Sequence, residues 1–318
     1  MLLLPWQEEC GTRLGYNGPK GTFLVNITPK PKYIFEILAN TLEQANKKYN
    51  VVIPWYIMTS NDNHEETINF FEKHSYFNYP KNSISFFNQG QMPLLSESGN
   101  FLLDEKNLIQ FAADGNGSIY RSMKQEGILK DMKKRNIEWI YICSVDNILL
   151  KMVEPTLVGL TISQGNEIAS KTVAKKNPQE KVGVFCLKNG KPSVIEYSEL
   201  PQDMAEATDE NGNLLFGESH IMCNLFSLNA LEKIANTSLP YHFAHKKAAF
   251  YENGTKIEPT TPNAYKLEAF IFDAFSQFEN ITLLRGKREE DFAPVKNAKG
   301  EDSPETAIKL YNNFWKEK

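Results

Sequence analysis

Cysteine is scarce in this chain, and an excess of positive charge is missing. The 318 residues include only Cys10, Cys143, Cys186 and Cys223, with no Cys-x-x-Cys pair that would suggest a zinc or redox site. The formal net charge is −4, with 35 Lys and Arg against 39 Asp and Glu, which argues against a broad basic face for duplex nucleic acid. We expect free, buried thiols, as in a protein of the reducing cytosol.

Long apolar runs are also missing, as are the features of a secretory leader. No apolar stretch reaches the roughly 18 residues of a membrane-spanning helix. No positively charged segment precedes the leucines at 2–4 and no cleavage site follows them, so we predict no signal peptide. The sequence therefore predicts a cytoplasmic protein whose partners include neither a membrane nor nucleic acid.

The chain does contain an alternation of helical and strand-like segments. Apolar residues at helical spacing predict helices, and short apolar runs predict buried strands. The predicted helices are 33–48, 65–74, 119–134 with a weak point at Gly127, 155–165, 228–235, 266–278 and 304–316; the predicted strands are 51–59, 84–88, 139–145 and 281–284, with a hairpin of 182–187 and 193–197. This alternation favours an α/β fold with a mixed central sheet and helices on both faces.

A glycine-rich stretch near the N-terminus has the composition of a polyphosphate-binding loop. Residues 11–15 read Gly-Thr-Arg-Leu-Gly, and residues 19–21 read Pro-Lys-Gly. Glycines let backbone N–H groups approach phosphate oxygens, and Arg13 and Lys20 can neutralise phosphate charge. The spacing fits neither the phosphate loop of NTPases nor the dinucleotide-binding turn. The alternative is an ordinary glycine-rich turn with surface cations.

The residues just upstream conflict with a phosphate site. The leucines at 2–4 could end a buried strand, but residues 5–10 then place Glu8 and Glu9 where small residues are expected. Carboxylates about 5 Å from phosphates would repel them by roughly 3 kcal/mol per pair at an effective dielectric constant of about 20. Either this loop does not bind phosphate, or the beginning of the chain is altered.

Polar side chains follow two predicted strands, at the sheet edge where α/β proteins bind ligands. Asp146 comes directly after the run 139–145. A single carboxylate there suits Mg²⁺, which takes its other ligands from water and phosphates; a helix-capping Asp is the alternative. Gln89 follows the strand 84–88 and could present its amide to a base edge. Residues 114–117 read Asp-Gly-Asn-Gly, which by itself indicates a turn.

Two histidine-containing clusters are expected to be structural. His64 and the two glutamates after it resemble a metal-binding helix, but no second histidine lies at the required offset, so a capped helix start is predicted. His242, His245, Lys246 and Lys247 form a basic cluster that is more typical of a solvated face than of a site.

An ordered set of motifs resembles the eukaryotic-type UDP-sugar pyrophosphorylase family, and within it the UDP-N-acetylglucosamine pyrophosphorylases. The segment 11–21 carries the first signature. The others follow in order: Asn-Gln-Gly-Gln-Met-Pro at 88–93, Asp-Gly-Asn-Gly at 114–117 with Tyr-Arg at 120–121, Ser-Val-Asp-Asn-Ile-Leu at 144–149, Val-Gly-Val at 182–184, Ile-Glu-Tyr-Ser-Glu at 195–199, Cys-Asn-Leu-Phe at 223–226, Pro-Asn-Ala-Tyr-Lys-Leu-Glu at 262–268, Phe-Ile-Phe-Asp at 270–273 and Phe-Ala-Pro-Val-Lys-Asn at 292–297. Each motif is modest alone, but the ordered set over 11–298 is highly specific.

The resemblance implies a Rossmann-like nucleotidyltransferase core, similar to the GT-A fold, that uses Mg²⁺. It also implies that UTP and N-acetylglucosamine 1-phosphate, or another N-acetylhexosamine 1-phosphate, react to give the UDP-sugar and pyrophosphate. Because the attacking phosphate oxygen is already an anion, this reaction needs positioning and cations rather than a general base. One alternative is a pyrophosphorylase of glucose or galactose 1-phosphate, and another is a catalytically impaired nucleotide-binding module.

The resemblance assigns roles to individual residues. The implied catalytic residues are Arg13, Lys20 and Lys266. The implied nucleotide site consists of Gly11, Lys20, Gln89, Gly115, Asp146, Lys266 and Phe270, with Gln89 and Gly115 on the uracil and Asp146 on Mg²⁺. The implied sugar-phosphate site consists of Asn116, Gly183, Glu196, Tyr197, Asn224 and Lys296, with Lys296 on the phosphate.

The chain departs from the family pattern near both ends. Residues 6–9 stand where the family has Leu-Ala-Gly-Gly, and a shifted reading frame through residues 5–10 would restore those four residues with a suitable choice of codons. We therefore interpret residues 1–298 as a nucleotidyltransferase core with an incomplete first strand and an atypical loop. Residues 299–318 would lead toward a missing C-terminal domain.

Overall fold

The structure is a computed structural model that describes the backbone of residues 2–4 and the backbone and side chains of residues 13–316. Gly11 and the atypical loop 5–10 lie outside the described residues, so the hypotheses about them stay predictions. The division of the chain at residue 298 also stays a prediction.

Helices and strands alternate along the described chain. The strands are β1 (Leu2–Leu4), β2 (Leu24–Val25), β3 (Lys32–Tyr33), β4 (Trp55–Thr59), β5 (Ile84–Asn88), β6 (Gln91–Pro93), β7 (Leu95–Ser96), β8 (Phe111–Ala113), β9 (Trp139–Ser144), β10 (Ile168–Ala174), β11 (Val184–Lys188), β12 (Lys191–Ile195), β13 (Glu218–Ser227), β14 (His242–Lys246), β15 (Phe250–Glu252), β16 (Thr255–Ile257), β17 (Ala264–Glu268) and β18 (Thr282–Arg285). The α-helices are α1 (Ile34–Tyr49), α2 (His64–Lys73), α3 (Ile119–Gln125), α4 (Ile128–Lys134), α5 (Pro155–Ser163), α6 (Gln202–Glu206), α7 (Leu228–Ile234), α8 (Arg288–Asp291) and α9 (Pro304–Lys316). Among these described helices, none has both the length and the apolar composition needed to cross a membrane.

The longer strands form one mixed sheet. Its order is β12-β11-β13-β9-β1-β4-β5, and β10 and β18 extend it from β13. Strands β9, β1, β4 and β5 are parallel, whereas β13 runs antiparallel to both β9 and β10. The predicted α/β fold with a mixed central sheet is confirmed. Because parallel strands end at the same edge, the loops after β5 and β9 emerge side by side with the loop after β4.

Alternate side chains of the central strands point to opposite faces of the sheet, and helices pack against both faces. Trp55 and Ile57 of β4 face a core shared with α1, α2, α5 and α9. Tyr56 and Met58 face a second core shared with α3, α4 and α7. A strand buried on both sides needs apolar residues at every position, which is why β4 and β9 are recognisable in the sequence.

A smaller sheet corrects one sequence prediction. It has the order β14-β17-β7, and β17 occupies the first part of the segment 266–278 that was predicted as a helix. That prediction is wrong because all five residues of β17 pair with β14, and hydrogen bonds to a distant segment outweigh local helical spacing. A 3-10 helix, Ile271–Gln277, forms the second part of the segment.

The remaining predicted elements are present, most of them with bounds shifted by one or two residues and two of them with larger differences. The strand predicted over 51–59 begins only at Trp55, because Pro54 has no N–H to donate and the valines at 51 and 52 are exposed. The helix predicted over 119–134 is divided into α3 and α4 at Gly127.

The break at Gly127 gives a testable stability difference. Its φ is +74°, and nothing lies within 4 Å of the place that a Cβ would occupy. Gly127→Ala should therefore lower the free energy of unfolding by about 1 kcal/mol through backbone strain alone. Gly159→Ala, in open space within α5, should raise it by about 0.5–1 kcal/mol. Urea denaturation measures both, and a stabilised Gly127→Ala would contradict the left-handed conformation.

Candidate active site

A cleft of about 430 Å³ opens at the carboxyl edge of the central strands. Its walls come from the main sheet around β9, β12 and β13, and from β14 and β17 of the smaller sheet. The predicted site residues that line it are Arg13, Asn116, Asp146, Gly183, Glu196, Tyr197, Phe270 and Lys296. The fold thus brings together residues that the sequence separates by as many as 283 positions, counting from 13 to 296.

Asp146 lies just beyond the end of β9, as the sequence predicted. Its side chain is 2% exposed, and its Oδ2 forms no hydrogen bond within the part of the chain that the structure describes. A buried carboxylate oxygen without a partner is costly unless a ligand completes it. The described residues contain no group of three His, Cys, Asp or Glu that could hold a metal ion. A single carboxylate with an oxygen that has no partner among the described residues is a ligand that Mg²⁺ could use, since Mg²⁺ takes its other ligands from water and substrate phosphates.

Gln89 follows β5 at the same edge and is tied to the loop that begins at Asp114. Its Nε2 donates to the carbonyl of Gly115 at 2.7 Å, while its Oε1 is buried without a partner among the described residues. Gly115 has φ +92°, and a Cβ there would lie 2.1 Å from the carbonyl oxygen of Ala269. Only glycine permits the backbones at Gly115 and Ala269 to lie this close. This contact fixes the Gly115 carbonyl that binds Gln89 Nε2, while Gln89 Oε1 has no partner among the described residues.

Lys296 and Arg13 are joined to the loop after β9 through one segment. The Lys296 ammonium lies 5.2 Å from the centre of the Phe292 ring and 3.8 Å from Asp302 Oδ2. Burial raises the pKa of Asp302, an effect that the nearby Lys296 partly offsets. The carbonyl of Arg13 accepts a hydrogen bond from the backbone N–H of Ala298 at 2.9 Å. The Lys296 ammonium and the backbone of Arg13 therefore have defined positions beside the cleft.

Two predicted phosphate-binding lysines do not line the cleft. Lys266 lies on β17, where its Nζ is 2.8 Å from Glu268 Oε1, and it is Glu268 that lines the cleft. Lys20 is half-buried in the 3-10 helix Lys20–Thr22, below the first turn of α1. A phosphate that binds Lys266 would share it with a carboxylate that is already present.

The charge in the cleft is balanced rather than uniformly positive. Its described lining contains four side chains that are cationic at neutral pH, namely Arg13, Lys181, Lys246 and Lys296, and four carboxyl groups, namely Asp146, Glu196, Glu199 and Glu268. A reaction between two phosphate esters would favour a cationic surface. Two of these carboxyl groups, Glu196 and Glu199, instead lie together toward the end of β12, where a neutral polar group fits better than a phosphate.

At the acidic end of the cleft, one carboxyl group has a raised pKa. Burial, and secondly the charge of Glu199, raise the pKa of Glu196 above its ordinary value. Gly183 lies directly against Glu196, since a Cβ on Gly183 would be 3.1 Å from Glu196 Oε1. The carboxylate oxygens of Glu196, which lie beside Gly183 and the exposed ring of Tyr197, can accept hydrogen bonds from sugar hydroxyls.

His242 is a cleft residue that the sequence analysis interpreted as part of a solvated face. Its Nε2 lies 3.1 Å from Asp273 Oδ2, and its ring centre lies 4.5 Å from that of Phe270. Burial raises the pKa of Asp273, and the neighbouring His242 lowers it again in part. Sequence patterns do not predict His242 as a site residue, because its position depends on the pairing of β14 with β17, and part of β17 lies in the segment predicted as a helix.

His220 and Asn224 form a second, deeper pair, of which the sequence analysis named only Asn224. Asn224 Oδ1 lies 3.0 Å from His220 Nε2 and accepts from Ser170 Oγ at 3.0 Å. This fixes the amide and leaves the buried Asn224 Nδ2 without a partner among the described residues. His220 lines the cleft, whereas Asn224 is fully buried behind it.

The burial of His220 predicts a pH dependence of stability. Burial lowers its pKa from 6.5 to about 4, although the Asn224 hydrogen bond opposes this. Between these values the unfolded chain binds more protons than the folded protein, so the free energy of unfolding should fall as the pH drops from 6.5 to 4. The slope from this residue is up to about 1.4 kcal/mol per pH unit. Urea denaturation across this range should show a flatter profile for His220→Gln; identical profiles would contradict a neutral His220.

The chain is similar to known uridylyltransferases and pyrophosphorylases in sequence and in structure. A family model described as UTP--glucose-1-phosphate uridylyltransferase matches residues 7–310. The UDP-N-acetylglucosamine pyrophosphorylase of Saccharomyces cerevisiae is 38% identical over an alignment 315 residues long, which covers 95% of this chain and 66% of the yeast protein. The crystal structure of the UDP-N-acetylglucosamine pyrophosphorylase of Trypanosoma brucei with an inhibitor is similar with a TM-score of 0.83 at 30% identity, over 97% of this chain and 64% of that chain.

A third similar protein is a crystal structure from Entamoeba histolytica, described as a candidate UDP-N-acetylglucosamine pyrophosphorylase. Its TM-score is 0.88 at 33% identity, over 98% of this chain and 79% of that chain. The chain spans between 60% and 67% of the length of the first curated relatives it matches.

Proposed function

Because this chain belongs to the UTP--glucose-1-phosphate uridylyltransferase family, we propose that it catalyses uridylyl transfer from UTP to N-acetylglucosamine 1-phosphate, giving UDP-N-acetylglucosamine and pyrophosphate. The relatives that cover nearly all of the chain support this choice of sugar by their names. The observation that carries the proposal is the meeting of Asp146, Lys296 and the Glu196 end in one cleft.

The sheet edge offers a path of suitable length for UTP. Gln89 and Asp146 follow β5 and β9, which are three strand spacings apart, or about 14 Å. An extended nucleoside triphosphate can span that distance. At one end Gln89 Oε1, which has no partner among the described residues and lies outside the described lining of the cleft, would accept a hydrogen bond from uracil N3–H; at the other end Asp146 would face the phosphates.

The acidic end of the cleft supports a sugar rather than a second nucleotide. The carboxylate of Glu196 offers acceptors to hydroxyl groups, and Asn116, Gly183 and Tyr197 line the same cleft. The ring of Phe270 and the neighbouring Phe272 supply apolar surface that an N-acetyl methyl group could contact. Lys296 lies beside this end, where it would bind the phosphate of the sugar.

The residues fit an in-line displacement at the α-phosphorus of UTP. A phosphate oxygen of the sugar phosphate forms the new P–O bond, and the bond to the bridging oxygen between the α- and β-phosphates breaks, so that pyrophosphate leaves. No proton is removed, and the neutral His220 is not required as a base. Lys296 and Arg13 would hold the reacting groups together and stabilise the charge on the transferring phosphoryl group.

Asp146 would hold Mg²⁺, with the remaining ligands coming from UTP and water. The bound ion would neutralise phosphate charge during transfer. This assignment gives a role to the buried Asp146 Oδ2, which has no partner among residues 13–316. The catalytic roles of Lys20 and Lys266 and a cytoplasmic location stay predictions.

Pyrophosphate release tests the proposal directly. The purified chain is assayed with UTP and Mg²⁺ and, separately, with N-acetylglucosamine 1-phosphate, N-acetylgalactosamine 1-phosphate, glucose 1-phosphate and galactose 1-phosphate. We expect the highest kcat/KM with an N-acetylhexosamine 1-phosphate. A preference for glucose 1-phosphate would favour the other sugar specificity, and tight UTP binding in calorimetry without turnover would indicate a nucleotide-binding module.

A further inference from the structure

One short segment links Lys296 to Asp146 in the loop that follows β9. Val295 N donates to the carbonyl of Asp146 at 2.9 Å, and Ile148 N donates to the carbonyl of Ala293 at 3.1 Å, on either side of an antiparallel bridge between Asn147 and Pro294. We call residues 291–298 the brace. The brace thus fixes the residue before Lys296 directly to Asp146.

The side chain of Asn147 locks this connection. It is 1% exposed, and its Nδ2 donates to the backbone carbonyl of Asp291 at 2.7 Å. Its Oδ1 accepts from the backbone N–H groups of Leu149 at 3.1 Å and Ala293 at 2.9 Å. One amide therefore satisfies backbone groups of both the Asp146 loop and the brace.

A buried charge cluster anchors the start of the brace. Lys171 Nζ lies 2.6 Å from Asp291 Oδ1 and 2.5 Å from Glu154 Oε2, and all three side chains are largely shielded from solvent. Lys151 Nζ lies 2.8 Å from the same oxygen of Asp291. Because Lys171 is on β10, the cluster ties the brace to the main sheet. Removing one partner of such a cluster leaves an uncompensated buried charge.

We propose that Asn147, anchored through Asp291, is a positioning residue that sets the separation between Asp146 and Lys296. This inference rests on the proposed function, in which Asp146 serves UTP and Lys296 serves the sugar phosphate. Asn147 touches neither substrate and acts only through the brace. A misplacement of about 1 Å between reacting groups can cost about a hundredfold in rate, so a side chain that fixes this separation controls turnover.

The rival explanation is that Asn147 merely stabilises the fold, and a second asparagine controls for that. Asn46 Nδ2 donates to Tyr79 Oη at 3.0 Å, and its Oδ1 accepts from Ile53 N at 3.0 Å. It joins the end of α1 to the segment before β4, away from the described lining of the cleft. Asn46→Ala therefore removes similar hydrogen bonds without changing the brace.

The experiment compares Asn147→Ala, Asn46→Ala and the wild-type chain. We expect Asn147→Ala to lower kcat about a hundredfold, with the KM for UTP within about threefold, and Asn46→Ala to keep kcat within about twofold. Amide hydrogen exchange should become faster in Asn147→Ala at residues 146–150 and 292–298, but not in the central strands. Asp291→Asn keeps the backbone carbonyl used by Asn147, so it should lose less activity than Asn147→Ala. If Asn147→Ala does not fold, Asn147→Asp replaces it, because aspartate keeps the acceptor oxygen used by Leu149 and Ala293 and loses only the bond donated to the carbonyl of Asp291.

Each outcome bears on one of the two proposals. An unchanged kcat in Asn147→Ala, an equal loss in Asn46→Ala, or faster exchange throughout the sheet would overturn the positioning role. If the wild-type chain releases no pyrophosphate, the proposed function fails. The exchange data then decide the brace alone: local loosening supports the link between Asp146 and Lys296, and unchanged exchange overturns it.

Discussion

Lys296→Met should lower kcat/KM for N-acetylglucosamine 1-phosphate about a thousandfold, while UTP affinity stays within about threefold. Methionine keeps most of the length and apolar surface of the lysine, so contact with Phe292 persists and the fold is retained. What disappears is the cation at the sugar-phosphate end of a cleft whose described lining carries as many carboxyl groups as cations. With so little surplus positive charge, the loss of one cation has a large effect.

Two control variants separate the role of this cation from its ion pair. Lys299→Met removes an exposed charge three positions along the chain and should leave both constants unchanged. Asp302→Asn removes the carboxylate 3.8 Å from Lys296 and should change kcat/KM less than tenfold if Lys296 acts on the substrate. Steady-state kinetics and calorimetry with UTP measure these effects. Normal turnover in Lys296→Met would remove Lys296 from the mechanism.

The parts of the site that the sequence predicted are those set by local strand patterns. Strand β9 is buried on both faces, so its continuous apolar run predicted a strand. The end of that run predicted that Asp146 lies at the carboxyl edge of the sheet. The same reasoning placed Gln89 after β5. In both cases the structure shows a buried oxygen without a partner among the described residues, which no sequence pattern reveals.

The parts that the sequence missed depend on contacts between distant segments. Strand β17 overlaps the segment 266–278, which was predicted as a helix. Its pairing with β14 and β7 gives it an extended conformation. That pairing carries His242 into the cleft and pairs Lys266 with Glu268. His220 lies four residues before Asn224 on β13, yet its role depends on rings from β11 and from the 3-10 helix at 271–277. Individual motifs contain no signal for such packing.

Asp146→Asn should remove activity and at the same time leave the protein no less stable. Asparagine has the size of aspartate but no charge to bind Mg²⁺. Turnover should therefore fall about a thousandfold or more, which is at the upper end of the loss expected when one electrostatic contact is removed. Asp146 is 2% exposed, and its Oδ2 has no partner within the described residues. Its removal should therefore raise the free energy of unfolding by about 1 kcal/mol or more.

Asp291→Asn supplies the matched comparison, because Asp291 is also buried but is paired with Lys171 and Lys151. That substitution should destabilise the protein by about 3 kcal/mol, the opposite sign, since it leaves buried ammonium groups without their partner. Urea denaturation gives both free energies, and UTP with Mg²⁺ should raise the thermal midpoint of the wild-type chain but not of Asp146→Asn. If the two variants were destabilised equally, Asp146 would be a structural carboxylate with a protein partner, and the binding of Mg²⁺ at this position would have to be abandoned. On this interpretation Asp146 lowers the free energy of unfolding until a ligand binds to it. Its carboxylate is then kept for activity at a cost in stability.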